Sequence, residues 1–144
     1  MSNGKSNQKP LQFNSWQSSP LICYEIVYPN FVAKAALDSN VLITVSNDAW
    51  FGRSIGPKQH LQMAQMRALE NQRFVLRGTG TGISAIISPK GKIVEQSEQF
   101  QQSVITGEFS LVNGQTPWMS YGYWVVPFFC CLIVVISIFK KRDT

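Results

Sequence analysis

The sequence predicts an α/β fold followed by one C-terminal transmembrane helix, and three observations carry that expectation. An apolar run at Leu21 to Cys23 and a β-prone run at Val41 to Ser46 flank an amphipathic stretch opened by Pro29, which is the spacing of a βαβ unit. A second, longer amphipathic stretch starts at Gly56-Pro57 and is followed by more short β-prone runs. From Tyr121 to Phe139 no residue is charged, and the run ends at Lys140-Lys141-Arg142.

Taken in order, residues 1–19 are rich in Ser, Asn, Gln and Lys and read as a loop-like end, with at most a short strand near Leu11 to Phe13. Order is expected from Pro20, so residues 20–112 form the folded domain. Leu21 to Cys23 is a strand. Pro29 can open a helix at its first position, with Phe31, Val32, Ala35 and Ala36 as its apolar stripe up to Asp38. Val41 to Ser46 is uninterruptedly β-prone, as in a strand covered on both faces. Asn47 to Gly52 is then a loop, and the helix from Gly56-Pro57 carries Leu61, Ala64, Ala68 and Val75 on one face, which extends it to about Arg77. Gly78-Thr79-Gly80-Thr81-Gly82 ends it. Ile83 to Ser88 and Ile93-Val94 are strands joined by the turn Pro89 to Lys92, and Ser103 to Phe109 is a last strand. Residues 113–120 are a linker, 121–139 the membrane helix and 140–144 a basic tail.

The apolar run approaches the roughly 20 residues that a bilayer-spanning helix needs. Lys and Arg beside a span stay in the cytoplasm, which puts the C-terminus there, and Trp118, Tyr121, Tyr123 and Trp124 crowd the opposite end at the headgroup level. The domain before them is therefore expected outside the cytoplasm, against the membrane. The net charge of +5 owes three residues to the tail, and no basic run with interleaved aromatics precedes the span, so nucleic acid is not an expected partner. Three cysteines make no disulfide framework, since Cys130 and Cys131 are adjacent within the span. No metal-ligand spacing or phosphate-cradling glycine loop appears, and no cofactor is expected.

Cys23 is then a lone thiol at the end of a short apolar strand, beside the carboxylate of Glu25. A thiolate there is suited to attack a carbonyl and carry an acyl group as a thioester, although free Cys is also commonly a buried small hydrophobe. Glu25 can turn back toward the site from a strand-to-helix elbow or cap nearby backbone N–H groups. Asn47 can fix its loop or serve as a simple turn residue. Trp50 and Phe51 on an exposed loop are costly unless they meet lipid or an acyl chain, the other reading of Trp50 being a core lid. His60, the single histidine, falls on the first turn of the long helix and reads as a partly exposed surface or capping group rather than a base paired with Cys23. Arg67 and Glu70, three apart, read as a solvated or intrahelical pair.

Ile22-Cys23-Tyr24-Glu25, Ser46 to Gly52, Gly56-Pro57 with Gln59-His60 and Met63-Ala64 through Glu70, and Ile87-Ser88-Pro89 with Gly91-Lys92-Ile93 together resemble the second half of a carbon-nitrogen hydrolase (nitrilase-type) domain. With the C-terminal span, the chain is similar to the bacterial apolipoprotein N-acyltransferases from about Leu21 onward. The resemblance implies the C-terminal part of an αββα sandwich. It implies a bacterial inner-membrane enzyme, with its catalytic part on the periplasmic side, whose Cys takes an acyl chain from a phospholipid donor. The acyl chain then passes to the α-amine of a diacylglyceryl-modified apolipoprotein acceptor. Cys23 matches the nucleophile, Tyr24 and Glu25 the two residues that follow it, and Asn47 and Trp50 the loop bordering the acyl pocket.

The same resemblance implies a Glu base and a Lys oxyanion partner upstream of the Cys. Lys5 and Lys9 lack the family's surroundings, and Glu25 is the first acidic residue. The expectation is a C-terminal fragment, nearly inactive alone, because a positioned base contributes roughly 100- to 10,000-fold and an oxyanion donor roughly 100- to 1,000-fold. Half a sandwich would also expose a sheet edge and an apolar face, predicting aggregation or dependence on the missing N-terminal part. A membrane-tethered nitrilase-type amidase and an inactive truncated product are the alternative readings.

Overall fold

A computed structural model of the chain describes residues 9–142. Its centre is a five-stranded mixed sheet of β3 (Pro20–Ile22), β4 (Val41–Ser46), β5 (Phe74–Thr79), β6 (Ala85–Ile87) and β7 (Ile93–Gln96), in that spatial order. β3, β4 and β5 are parallel, with Ile22 opposite Val45 and Ser46 opposite Thr79, while β6 and β7 continue antiparallel. The helices α1 (Pro29–Leu37) and α2 (Gly56–Asn71) are the two crossovers that parallel neighbours require.

Both helices lie on one face of the sheet. Period-2 alternation sends Leu21, Leu42 and Val75 inward, where they join Val32 and Ala36 of α1 and Leu61, Ala64 and Ala68 of α2 in one core. Each fully buried Leu or Val contributes about 1.5 to 3 kcal/mol of transfer free energy. The opposite face keeps apolar residues in solvent: Ile22 is 63% exposed and Val45 is 51% exposed. The layers are thus one sheet and one helical layer, half of an αββα sandwich.

The strands of the structure depart from the sequence reading at three places. The long helix ends at Asn71, six residues before the expected Arg77, because Gln72 takes a left-handed conformation (φ 50°). The β-branched and aromatic residues that follow then enter the sheet as β5, so Val75 is a core residue of a strand. Secondly, residues 103–109 are not a strand. Phe109 is held by ring contacts to Trp16 and Phe74, at centroid distances of 6.1 and 6.3 Å, and not by a backbone ladder. Thirdly, the loop-like stretch holds the short strand expected near Leu11 to Phe13, β1 (Leu11–Phe13), and pairs it in a hairpin with an unexpected β2 (Trp16–Ser18), closed by stacking of Phe13 on Trp16 at 3.9 Å. The expectations for residues 1–8 and 143–144 lie outside the described residues.

Beyond the sheet, α3 (Pro117–Tyr121) is capped by Thr116, whose Oγ1 accepts from Met119 N–H, and α4 (Val125–Arg142) is the last element among the described residues. Helix therefore begins inside the expected linker. Among the described residues, one helical run, Pro117–Ile138, is long and apolar enough to cross a membrane, with mean hydropathy 2.1 and none of that window buried.

Arg73, just before β5, ties the exit of α2 to two distant segments. Its Nε donates to Ser39 O at 2.7 Å and its Nη2 to Gly114 O at 2.5 Å, with the side chain almost fully buried. Arg73→Met should lower the unfolding free energy by about 2 kcal/mol, the scale of lost hydrogen bonds to a charged group. Chemical denaturation in detergent, followed by tryptophan fluorescence, measures it; an unchanged midpoint would show that the three segments hold without this residue.

Candidate active site

The carboxyl ends of β3, β4 and β5 meet at one edge of the domain, the position where parallel α/β sheets place their ligand sites. Cys23 directly follows β3 and opens a 3-10 turn, Cys23–Val27. Its φ is 54°, a left-handed conformation that side chains larger than Gly rarely adopt, so the thiol is presented on a sharp elbow. Glu25 closes that elbow: its Oε2 accepts from Ile22 N–H at 2.6 Å. Of the two roles open to Glu25, the geometry shows the capping one. Tyr24, next to the thiol, is half exposed and packs edge-on against Tyr28 at 5.9 Å.

Asn47 follows β4 and caps a second 3-10 turn, Asp48–Phe51, where its Oδ1 accepts from Ala49 N–H (3.1 Å) and from Thr81 Oγ1 (3.2 Å). The amide therefore fixes the loop and fastens it to the segment after β5. Trp50 on this turn is 92% exposed, which rules out a core lid within the described residues. Phe51 turns the other way, onto the ring of His60 at 6.2 Å.

Beneath both turns lies a group of buried polar residues, Asp48, His60 and Arg77, exposed by 1%, 2% and 3%. Arg77 Nη2 donates to Asp48 Oδ2 at 2.7 Å and Nε donates to Ile83 O at 3.2 Å. The other carboxylate oxygen, Oδ1, accepts from Ser46 Oγ at 2.9 Å and lies 3.0 Å from His60 Nδ1. The His60 ring also sits 6.1 Å from that of Tyr24, so the group touches the Cys23 elbow as well as the Asn47 turn. Burial, then the Arg77 charge, pushes the His60 pKa below its usual value, with Asp48 and the Cys23 backbone opposing more weakly. His60 is thus neutral near pH 7. Gly82 completes the fit, since a Cβ there would collide with the Asp48 carboxylate.

The expectation of a surface His60 is corrected here. His60 shares the buried face of α2 with Leu61, Ala64, Arg67, Ala68 and Asn71, so its spacing was the available signal, outweighed by its polarity. Asp48 and Arg77 carried no such signal, because a tertiary pair between a turn and a distant strand has no local spacing. Arg67 and Glu70 do pair within α2, at 2.8 Å, but with side chains only 10% and 16% exposed they are far from solvated. Arg67 Nη1 also donates to Val27 O at 3.4 Å, at the end of the Cys23 turn. Burial raises the Glu70 pKa, with Arg67 opposing.

Two outcomes are expected of the buried group. Asp48→Asn leaves Arg77 buried and unpaired and should cost about 3 to 5 kcal/mol of stability by denaturant titration; a loss under 1 kcal/mol would contradict the pairing. For His60, the unfolded chain binds a proton near pH 6.5 while the folded chain resists it, so the unfolded state holds more protons below that pH. Stability should therefore fall as pH drops from 7 to 5, and His60→Gln should flatten the fall; an unaltered pH slope in His60→Gln would contradict a neutral buried ring.

Comparison with known proteins agrees with this architecture. The family model described as carbon-nitrogen hydrolase matches residues 1–116. An apolipoprotein N-acyltransferase of Pseudomonas paraeruginosa is 45% identical over 139 residues, covering 96% of this chain and 27% of the relative. The enzyme of that name from Pseudomonas aeruginosa is 52% identical over 121 residues, covering 84% of this chain and 24% of the relative. The chain thus spans about a quarter of the length of the curated relatives it matches. A solved carbon-nitrogen hydrolase from Helicobacter pylori superposes with a TM-score of 0.60 at 13% identity, covering 70% of this chain and 43% of that one, which shows a common fold. With the matched model spanning most of its length and a half-sandwich of the same fold, the chain belongs to the carbon-nitrogen hydrolase family.

Proposed function

We propose that this chain is the C-terminal part of an N-acyltransferase that moves a fatty acyl group from a phospholipid to the α-amine of a diacylglyceryl-cysteine at a lipoprotein N-terminus. The observation that carries the reading is Cys23 on its left-handed elbow, in a chain that matches relatives of that name over 84 to 96% of its residues. In the first step the Cys23 thiolate attacks the ester carbonyl of the phospholipid. A thioester forms, the ester C–O bond breaks, and the lysophospholipid oxygen takes the proton that left the thiol. In the second step the lipoprotein amine attacks the thioester, an amide forms, and the thiol is regenerated. Sulfur suits both halves, because a thiolate is a good nucleophile and a good leaving group.

The buried Asp48, His60 and Arg77 position the two turns, and a base and an oxyanion donor would come from a further part of the enzyme, this chain spanning about a quarter of its relatives' length. The exposed sheet face around Ile22 and Val45 is where the rest of the sandwich would seat. Trp50, standing out from its turn, is suited to meet an acyl chain. The run Pro117–Ile138 crosses the membrane, with Lys140 to Arg142 in the cytoplasm and the domain on the periplasmic side of the bacterial inner membrane.

The test is to join this chain to the remaining N-terminal length of the Pseudomonas aeruginosa relative and expose the chimera, in membranes, to phospholipid carrying a labelled acyl chain. Hydroxylamine-sensitive label should appear on the protein and be lost in Cys23→Ala. Label that persists without Cys23 would contradict the assignment of the nucleophile.

A further inference from the structure

A second polar site lies away from the Cys23 elbow, where α1 meets α3 and the start of the membrane helix. A cavity of about 280 Å³ opens there, lined on one side by Asn30 and Lys34 of α1 and on the other by Trp118, Ser120, Tyr121 and Tyr123. None of Cys23, Tyr24, Glu25, Asn47 or Trp50 lines it. Resting on the membrane placement proposed above, we infer that this cavity binds the phosphate-bearing headgroup of a membrane phospholipid, separately from the acyl-transfer site.

Three observations converge on a phosphodiester. The charge is of one sign, because Lys34 lines the cavity, no carboxylate does, and no ion pair among the described residues uses Lys34. The polar side chains around it can all donate, and the indole Nε1 of Trp118 is buried with no hydrogen-bond partner, a donor left over by the fold. The place is also right: the cavity sits at the head of the run Pro117–Ile138, among the aromatic residues that settle at the headgroup level of a bilayer. Asn30 and Lys34 are four apart on α1, so both reach the same spot. Trp118 and Tyr123 brace the far wall edge to face at 5.1 Å. The volume is below the usual range of sites that enclose a drug-sized ligand, which suits a headgroup with its acyl chains left in the membrane.

The experiment uses the full chain in uncharged detergent micelles, with Trp16→Phe and Trp50→Phe so that Trp118 and Trp124 report. Titration with dioctanoyl phosphatidylglycerol should give a saturable fluorescence change. Lys34→Gln should weaken it about tenfold, the loss expected for one charge-assisted hydrogen bond, while Lys34→Arg retains it. Dioctanoylglycerol, which lacks the phosphate, should give no saturable change. An equal response to dioctanoylglycerol, or unaltered binding in Lys34→Gln, overturns the site. Equal affinity for inorganic phosphate alone overturns the lipid assignment in favour of a free anion. Alkaline extraction of membranes containing the unsubstituted chain checks the span on its own: release into the supernatant overturns the membrane placement whatever the titration gives.

Discussion

The arrangement around Cys23 depends on one buried ion pair, Asp48 with Arg77 at 2.7 Å. An aspartate taken out of water is costly unless it is paired and its remaining lone pairs are filled. Here Arg77 occupies one oxygen, while Ser46 and the His60 ring occupy the other. The four residues come from β4, the turn after it, α2 and β5, so satisfying one carboxylate ties these four segments together at the carboxyl edge of the sheet. The turn that carries Asn47 and Trp50 is then held from below, and the elbow of Cys23 rests against the same ring through Tyr24. Small changes here act on both turns at once. Gly82 is the tightest case, since any side chain at that position displaces the carboxylate.

The sequence made some of this legible and hid the rest for physical reasons. Val41 to Ser46 and Pro29 to Leu37 were readable because their periodicity and their Pro start signal are local properties. Asn47 was readable as a loop-fixing amide for the same reason, and Cys23 as a thiol at a strand end. The end of α2 was not, because its stop is a left-handed Gln72 where a Gly would have advertised itself, and Val75 continued the helical spacing by coincidence. His60 and Arg67 lie on the apolar face of α2 by spacing alone, and each is tolerated there because it has partners: Asp48 for His60, and both Glu70 on the same helix and the Val27 carbonyl for Arg67. The partner of a buried charge is a fact of the fold. For Asp48 and Arg77, 29 residues apart, no local spacing reveals it.

The half-sandwich and the apolar helical run belong to one functional logic. On the proposed function, a thiol that draws an acyl chain from a bilayer would have to sit close to the headgroups, and the apolar run Pro117–Ile138 that follows the domain would tether it at that depth. The aromatic residues from Trp118 to Trp124 stand at the junction, and Lys34 faces them from α1. The exposed apolar face behind Ile22 and Val45 has the character of an internal surface, suited to the other half of an αββα sandwich. On the proposed function, catalysis would require both halves: this one would supply the thiol and its positioning, the other the base and the oxyanion donor, each worth orders of magnitude in rate.

The central claim is that the acyl group carried by Cys23 is delivered to an amine. It is tested most directly by incubating the reconstituted chimera with phospholipid and a synthetic diacylglyceryl-cysteine peptide and weighing the peptide by mass spectrometry. The account predicts a gain of one acyl chain on the N-terminal amine, absent with Cys23→Ala. A peptide of unchanged mass, together with release of ammonia from small amides by the same preparation, would contradict it and mark the chain as part of an amidase.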